Sequence, residues 1–264
     1  MAWVLLVACS SATRDAAAPG AGAGAAGEQT AGGHRAAAGN VPSGGESSGG
    51  GSAPTACDAG GPVALDGVTN ARRVGCMAAA DGRTIDAGLL LRAGHLGGLS
   101  DCDQLSALGV RTVIDLRDLE HPDYVPDAPC VEATTRFVAA DLPRLLPPSA
   151  ATYLDTLVAA EPKLALIFST LAEPQSFPAL LHCVIGRDRA SLITGLVLLS
   201  AGIPRDQVLA DMVTNQDDGI VIDPSWMDGV FERIDGEGGV ETYLTGHGVS
   251  AADLSSIRTQ LLGP

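Results

Sequence analysis

The sequence predicts an α/β fold, a three-layer sandwich with a mostly parallel central sheet flanked by helices. Three observations carry this. "FPALLHC" (177–183) is an apolar run without alternation, as expected of a strand buried on both faces of a parallel sheet. "RASLITGLVLLSAG" (189–202) follows at once as an apolar helix, closed by Gly202 with Pro204 beyond. Further strand patterns precede this pair, and helical patterns lie between and after them.

In chain order, "MAWVLLVAC" (1–9) comes first. Leu6-Val7-Ala8-Cys9 resembles a bacterial lipobox, in which the chain is cut before the cysteine and Cys9 is lipidated. No Lys or Arg precedes the apolar run. The run is near the short limit for a secretory segment and too short to cross a bilayer as a helix. Residues 10–56 are almost entirely Ala, Gly, Ser, Thr and Pro without hydrophobic period, the composition of a disordered tether. Residues 57–264 turn rich in Leu, Val and Ile and are long enough for one domain with a sizeable core.

Within that domain, "RTVIDLR" (111–117) reads as a buried strand and "CVEATTRFVAADLP" (130–143) as a second one, ended by a proline. "SAATYLDTLVAAEPKLALIFSTLA" (149–172) has helical spacing and reads as two helices broken near Pro162. The strand and helix at 177–202 follow. Residues 204–216, 223–235 and 239–262 read as three further helices.

The formal net charge is −15. The first 56 residues carry Arg14 and Arg35 against Asp15, Glu28 and Glu46, so nearly all of that charge belongs to the domain. Long-range repulsion then argues against nucleic acid and against anionic membrane surfaces as partners, leaving the lipid anchor as the one membrane contact. A small phosphate site needs only local positive charge and stays open. Oligomeric state is not readable from the sequence.

Beyond Cys9, the cysteines are Cys57, Cys76, Cys102, Cys130 and Cys183. An oxidising compartment favours disulfides, and four of these five can form two bridges in three ways. The expected pairing is Cys57–Cys76 and Cys102–Cys130, leaving Cys183. There is no Cys-x-x-Cys pair, and His34, His95, His121 and His247 show no ligand spacing with Cys or Asp. Neither a metal nor another cofactor is expected.

Cys183 stands in "HCVIGRDR" (182–189), where the predicted strand turns into the predicted helix. Unpaired backbone N–H groups and the positive end of a helix dipole meet at such a turn and make a nest for an anion. Cys183 and Arg189 have the Cys-x5-Arg spacing. One loop can then surround a phosphate with a thiolate below, N–H groups around and a guanidinium across two oxygens. Positive surroundings favour the thiolate, the nucleophilic form.

With its neighbouring segments this loop resembles a bacterial protein-tyrosine-phosphatase family with an HCxxGKDR-type loop, which includes a secreted mycobacterial enzyme. "NARRVGCMAAADGRTIDAGLLLRAGHL" (70–96) fits that family's opening at Asn70, Arg72, Gly75, Gly88, Leu90, Arg92 and Leu96. "GVRTVIDLRDLEH" (109–121) fits its DLR segment, and "GIPRDQVLADMVTN" (202–215) fits the helix after the loop. The resemblance implies a cysteine-phosphatase fold and a phosphatase acting on phosphotyrosine, with phosphoserine, phosphothreonine or phosphoinositide as further substrates. It implies Cys183 as nucleophile, Arg189 as phosphate ligand and Asp188 as general acid. Asp115 is the runner-up acid or a loop-orienting group, and Asp141 a third candidate. His182, Val184, Ile185, Gly186 and Arg187 complete the substrate-binding set. Asn70 and Arg72 are expected to brace the loop, and Arg92 and Arg117 to pair with core or loop acids.

Four positions depart from the family pattern. Arg73 stands for its Asp, Cys76 for its second Gly, Arg187 for the loop Lys, and Ala190 for the Thr that follows the loop arginine. In the wider superfamily that hydroxyl assists the cysteine as leaving group, and Ser191 sits about 100° further round the helix. A phosphate-binding pseudophosphatase with little turnover is therefore the alternative. The lipobox, followed by Ser10, implies a lipid-anchored protein of the cell envelope, at the outer membrane on its periplasmic or surface face.

Overall fold

The computed structural model describes residues 61–143, 146–214 and 222–263. All of these lie within the contact unit spanning residues 51–264. Cys9, the 10–56 segment and Cys57 fall outside the described residues, and with them the lipobox reading and the Cys57–Cys76 pairing. No helix among the described residues is long and apolar enough to cross a membrane.

Six strands form one sheet: β1 (Gly61–Pro62), β2 (Arg72–Val74), β3 (Leu90–Ala93), β4 (Thr112–Asp115), β5 (Arg136–Ala139) and β6 (Ala179–His182). Their spatial order is β1-β2-β3-β6-β4-β5. β3, β6, β4 and β5 run parallel, and β1 and β2 add an antiparallel edge. The central strand β6 pairs Ala179 with both Leu90 and Thr112, and His182 with both Ala93 and Asp115.

Alternation along these strands feeds two cores. Ala179 and Leu181 of β6, Ile114 of β4 and Leu90 of β3 enter the larger one. Leu180, Val113, Leu91 and Ala93 point the other way into the smaller one. The larger core is closed by α3 (Ala150–Ala172), α4 (Asp188–Ser200), α5 (Arg205–Met212), α6 (Asp228–Gly236), α7 (Val240–Gly246) and α8 (Ala251–Leu262). The smaller core lies under α1 (Asp103–Ala107) and α2 (Pro129–Thr134). The result is the expected three-layer α/β sandwich.

Several elements differ from the sequence reading. α3 is a single helix that runs through Pro162. Pro162 is exposed, so the hydrogen bond it cannot donate is lost on the solvent side, while Leu157, Ala160, Leu164, Ile167 and Phe168 pack on the other side. Ser149 starts α3 with a reciprocal cap, accepting from the Thr152 N–H and donating its own N–H to Thr152 Oγ1.

The "CVEAT" stretch (130–134) lies in helix α2, not strand. Pro129 is set for the first turn, and the Thr134 and Thr135 hydroxyls donate to the Cys130 and Val131 carbonyls at 2.8 and 2.7 Å. Only Arg136–Ala139 of that segment is strand. Residues 239–262 form two helices, because the chain bends at His247-Gly248 and Ser250 caps a new start. The helix expected at 204–216 is α5, Arg205–Met212, and that at 223–235 is a short 3-10 turn leading into α6.

Cys102 and Cys130 form the expected disulfide. It joins the residue that begins α1 to α2, across the smaller core. Cys76 adopts φ +62, a left-handed backbone that favours the glycine found there in the resembling family.

Candidate active site

β6 ends at the centre of the sheet, and residues 183–187 carry the chain from it into α4. The scaffold grips this loop by its carbonyls. The His95 N–H donates to the Val184 carbonyl at 3.0 Å. Asn70 Nδ2 donates to the Ile185 carbonyl at 2.7 Å, and Arg92 Nη1 to the Gly186 carbonyl at 2.8 Å. The Ser191 N–H takes the Arg187 carbonyl at 3.0 Å as α4 begins. The C=O and N–H of a trans peptide plane point opposite ways. Carbonyls tied back in this manner direct N–H groups toward the mouth, as an anion nest requires.

Gly186 fits nowhere else in the residue alphabet. Its φ is +70, and a Cβ there would come within 2.4 Å of the Ala93 carbonyl carbon and 2.5 Å of the Gly94 nitrogen. The loop therefore lies directly against the end of β3. Arg92 reaches it from within β3, fully buried. Its Nη2 donates to the Asp211 and Thr214 carbonyls at 2.8 and 2.9 Å, and its Nε faces the Asp211 carboxylate at 3.4 Å. Arg72 approaches the same carboxylate at 3.4 Å. Asn70, Arg72 and Arg92 thus brace the loop and the segment after α5.

The loop opens on a cavity of about 80 Å³ lined by Cys183, Val184, Ile185, Asp188 and Arg189, with Leu146 and Thr156 opposite. Cys183 is buried at this cavity. Arg189 is pinned by Nη1, which donates to the Leu142 and Leu116 carbonyls at 2.9 and 3.3 Å. Asp188 lines the cavity, and its Oδ1 accepts from the Tyr153 hydroxyl at 2.9 Å and from Arg187 Nε at 3.1 Å. Burial first, then the Asp188 charge, push the Tyr153 phenol far above its ordinary pKa, so it stays a donor.

The remaining predicted residues stand behind the loop. Arg187 is buried against Asp188 and is not among the residues lining the cavity. His182 and Asp115 are fully buried. Arg117 Nη2 lies 2.7 Å from both Asp115 Oδ2 and Asp127 Oδ2, and His182 Nε2 lies 3.2 Å from Asp127. Burial alone would raise the Asp127 pKa. The His182 imidazole, the Arg117 charge and the Leu96 N–H outweigh it and hold the carboxyl below the usual range. Asp115, Asp127 and His182 are close enough to hold a metal ion, but Arg117 already pairs with both carboxylates. They form an ion-pair floor under the loop. Asp141 is exposed, with φ +57, and accepts the Leu119 N–H at 3.2 Å. Ala190 and Ser191 are both fully buried in α4.

Sequence reasoning missed Asp127, Tyr153 and Asp211. Tyr153 reaches Asp188 across 35 residues and Arg92 reaches Asp211 across 119, so only the folded chain brings them together.

The profile of the tyrosine phosphatase family matches residues 63–263. A tyrosine-protein phosphatase of Nostoc commune is 33% identical over 174 residues, 59% of this chain and 57% of that protein. A relative from Cupriavidus necator is 28% identical over 182 residues, 60% of this chain and 65% of that protein. The chain thus spans under two thirds of the length of these curated relatives. Among solved structures, the catalytic core of the PP-IP phosphatase SIW14 from S. cerevisiae matches with 11% identity and a TM-score of 0.35, over 65% of this chain and 80% of that one.

Proposed function

Because this chain belongs to the tyrosine phosphatase family, we propose that it is a cysteine-dependent phosphatase that hydrolyses phosphotyrosine through a phosphocysteine. One observation carries the reading. Cys183, Asp188 and Arg189 converge on one cavity, at a loop held from behind by its carbonyls.

The Cys183 thiolate attacks phosphorus, the S–P bond forms and the P–O bond to the alcohol breaks. Arg189 and the loop N–H groups hold the phosphoryl oxygens as charge develops on them. Asp188, steadied by Tyr153, gives the leaving oxygen its proton. Asp188 then takes a proton from water, which attacks the phosphocysteine and releases phosphate and the thiolate. Asp115 belongs to the floor that orients the loop and has no part in proton transfer. The apolar wall of Leu146, Val184 and Ile185 suits an aryl phosphate. In the cell, the lipobox reading puts this activity in the envelope, anchored through Cys9.

Phosphate release from a phosphotyrosine peptide by the full chain, with EDTA present, tests this. The expected result is multiple turnover that Cys183→Ser abolishes. Ala190 supports the second reading, a phosphate-binding pseudophosphatase. A stoichiometric burst of dephosphorylated peptide without phosphate turnover would establish it, and absence of both would refute the enzyme.

A further inference from the structure

Thr156 lines the catalytic cavity with Cys183, Asp188 and Arg189, and neither binding of the phosphoryl group nor formation of the phosphocysteine needs it. It stands on α3, three residues after Tyr153, so the two share one face of the helix. The Tyr153 hydroxyl donates to Asp188 Oδ1 at 2.9 Å, so this face of α3 looks onto the carboxylate at the start of α4. Thr156 is buried and the cavity is small, about 80 Å³, so its side chain stands close to a phosphoryl group seated on the loop.

The hydrogen-bonding capacity of this lining is uneven. Arg189 and the backbone N–H groups of the loop can only donate. The Cys183 sulfur is bonded to phosphorus once the first step is done. Asp188 and Thr156 are then the acceptors among the lining side chains. The Thr156 hydroxyl donates to the Thr152 carbonyl at 2.6 Å, which commits its one proton and leaves its oxygen free to accept. The Tyr153 phenol keeps its proton, and that proton is committed to Asp188. An attacking water has two O–H bonds to place. Asp188 takes one, and the other needs a second acceptor in the same cavity.

We propose that Thr156 Oγ1 accepts the second O–H of the water that cleaves the phosphocysteine, and so orients that water for attack. The inference rests on the phosphatase reading and adds a residue to its second step. The water oxygen bonds to phosphorus as the S–P bond breaks, with its electron pair going to the Cys183 sulfur. One water proton passes to Asp188, and the other leaves with the phosphate. The first step uses no water, so Thr156 acts on the second alone.

The test is stopped-flow release of p-nitrophenolate from p-nitrophenyl phosphate by the full chain, by Thr156→Val and by Thr156→Ser. Valine keeps the shape of the side chain, and the Thr152 carbonyl still takes the helical N–H of residue 156, so the fold is retained. Loss of one orienting hydrogen bond predicts that phosphocysteine hydrolysis slows about 5–10-fold in Thr156→Val. The burst should keep its rate while its amplitude approaches stoichiometry with the chain, and the phosphocysteine should accumulate, read by mass spectrometry of the quenched protein. Serine retains the hydroxyl and should restore turnover to near the native rate. Unchanged turnover in Thr156→Val, a burst that slows in step with turnover, or a serine variant as impaired as the valine one would overturn the proposal. A native chain that stops after its burst would overturn it too, with the cysteine chemistry left standing. Absence of any release that depends on Cys183 would instead sink the phosphatase reading itself.

Discussion

Replacing Gly186 by alanine probes how closely the phosphate loop must approach β3. Two costs arise. At φ +70 an alanine pays the left-handed penalty of about 1–2 kcal/mol. Its Cβ would also lie 2.4–2.7 Å from Ala93 and Gly94 backbone atoms, which cannot rotate aside as a side chain does. Overpacking of this kind costs about 1–3 kcal/mol. For a domain of this size, 1 kcal/mol lowers Tm by about 2–4 °C, so Gly186→Ala should melt roughly 10 °C lower. Gly202→Ala is the matched control, since φ there is +88 and nothing lies within 4 Å of the added carbon. Only the backbone penalty applies, for a fall of about 3–6 °C. Activity should separate the pair further. Relief of the clash pushes the loop off β3 by about 1 Å, which costs about 100-fold in turnover. Thermal melts and phosphate release on both variants provide the assay. Equal losses of stability and activity in the two variants would refute the argument from close approach.

Three further outcomes are expected. Arg92→Met should destabilise the domain by about 3–5 kcal/mol, read from denaturant midpoints, because it strips the Gly186 carbonyl of its buried donor and leaves Arg72 alone to face the Asp211 carboxylate. Cys102→Ser/Cys130→Ser should cost about 3–4 kcal/mol, since the bridge closes a separation of 28 residues. His95 has a folded pKa below its ordinary value of about 6.5, through burial and then the Arg117 charge. The unfolded chain therefore binds the proton first as pH falls. Stability from this group is full above about pH 6.5 and declines as pH drops toward the folded value, and a urea series from pH 7.5 to 5.5 should show a shallower decline in His95→Gln.

The strand-to-helix turn at 182–189 was legible because its signals are local. A continuous apolar run, an abrupt polar loop and a helix with a glycine stop sit next to each other in the chain. The short strands β2 and β3 were not marked out, because Arg72, Arg73 and Arg92 interrupt any apolar pattern. In β3 the charge is fully buried and satisfied by partners more than 90 residues away, which no window of sequence displays. Pro162 misled for the opposite reason. The rule that proline ends a helix assumes the lost hydrogen bond matters, and on an exposed face water replaces it. In α2, β-branched residues imitated a strand, while the proline before them and their own hydroxyl bonds favoured the helix. Asp127 and Tyr153 had no signal at all, for their importance lies in which side chain the fold sets beside them.

The two layers on either side of the sheet should come apart in a fixed order. α1 and α2 have five and six residues, too short to persist as helices without their packing. Their small core and one covalent bond hold them down. Asp127 lies two residues before α2, with its carboxylate under His182 and Arg117. When this layer opens, the floor beneath the loop goes with it, while the larger core behind β6 is still folded. Loss of activity should then precede loss of helix content on heating under reducing conditions, and a bond outside the 183–187 loop governs how long that loop keeps its shape.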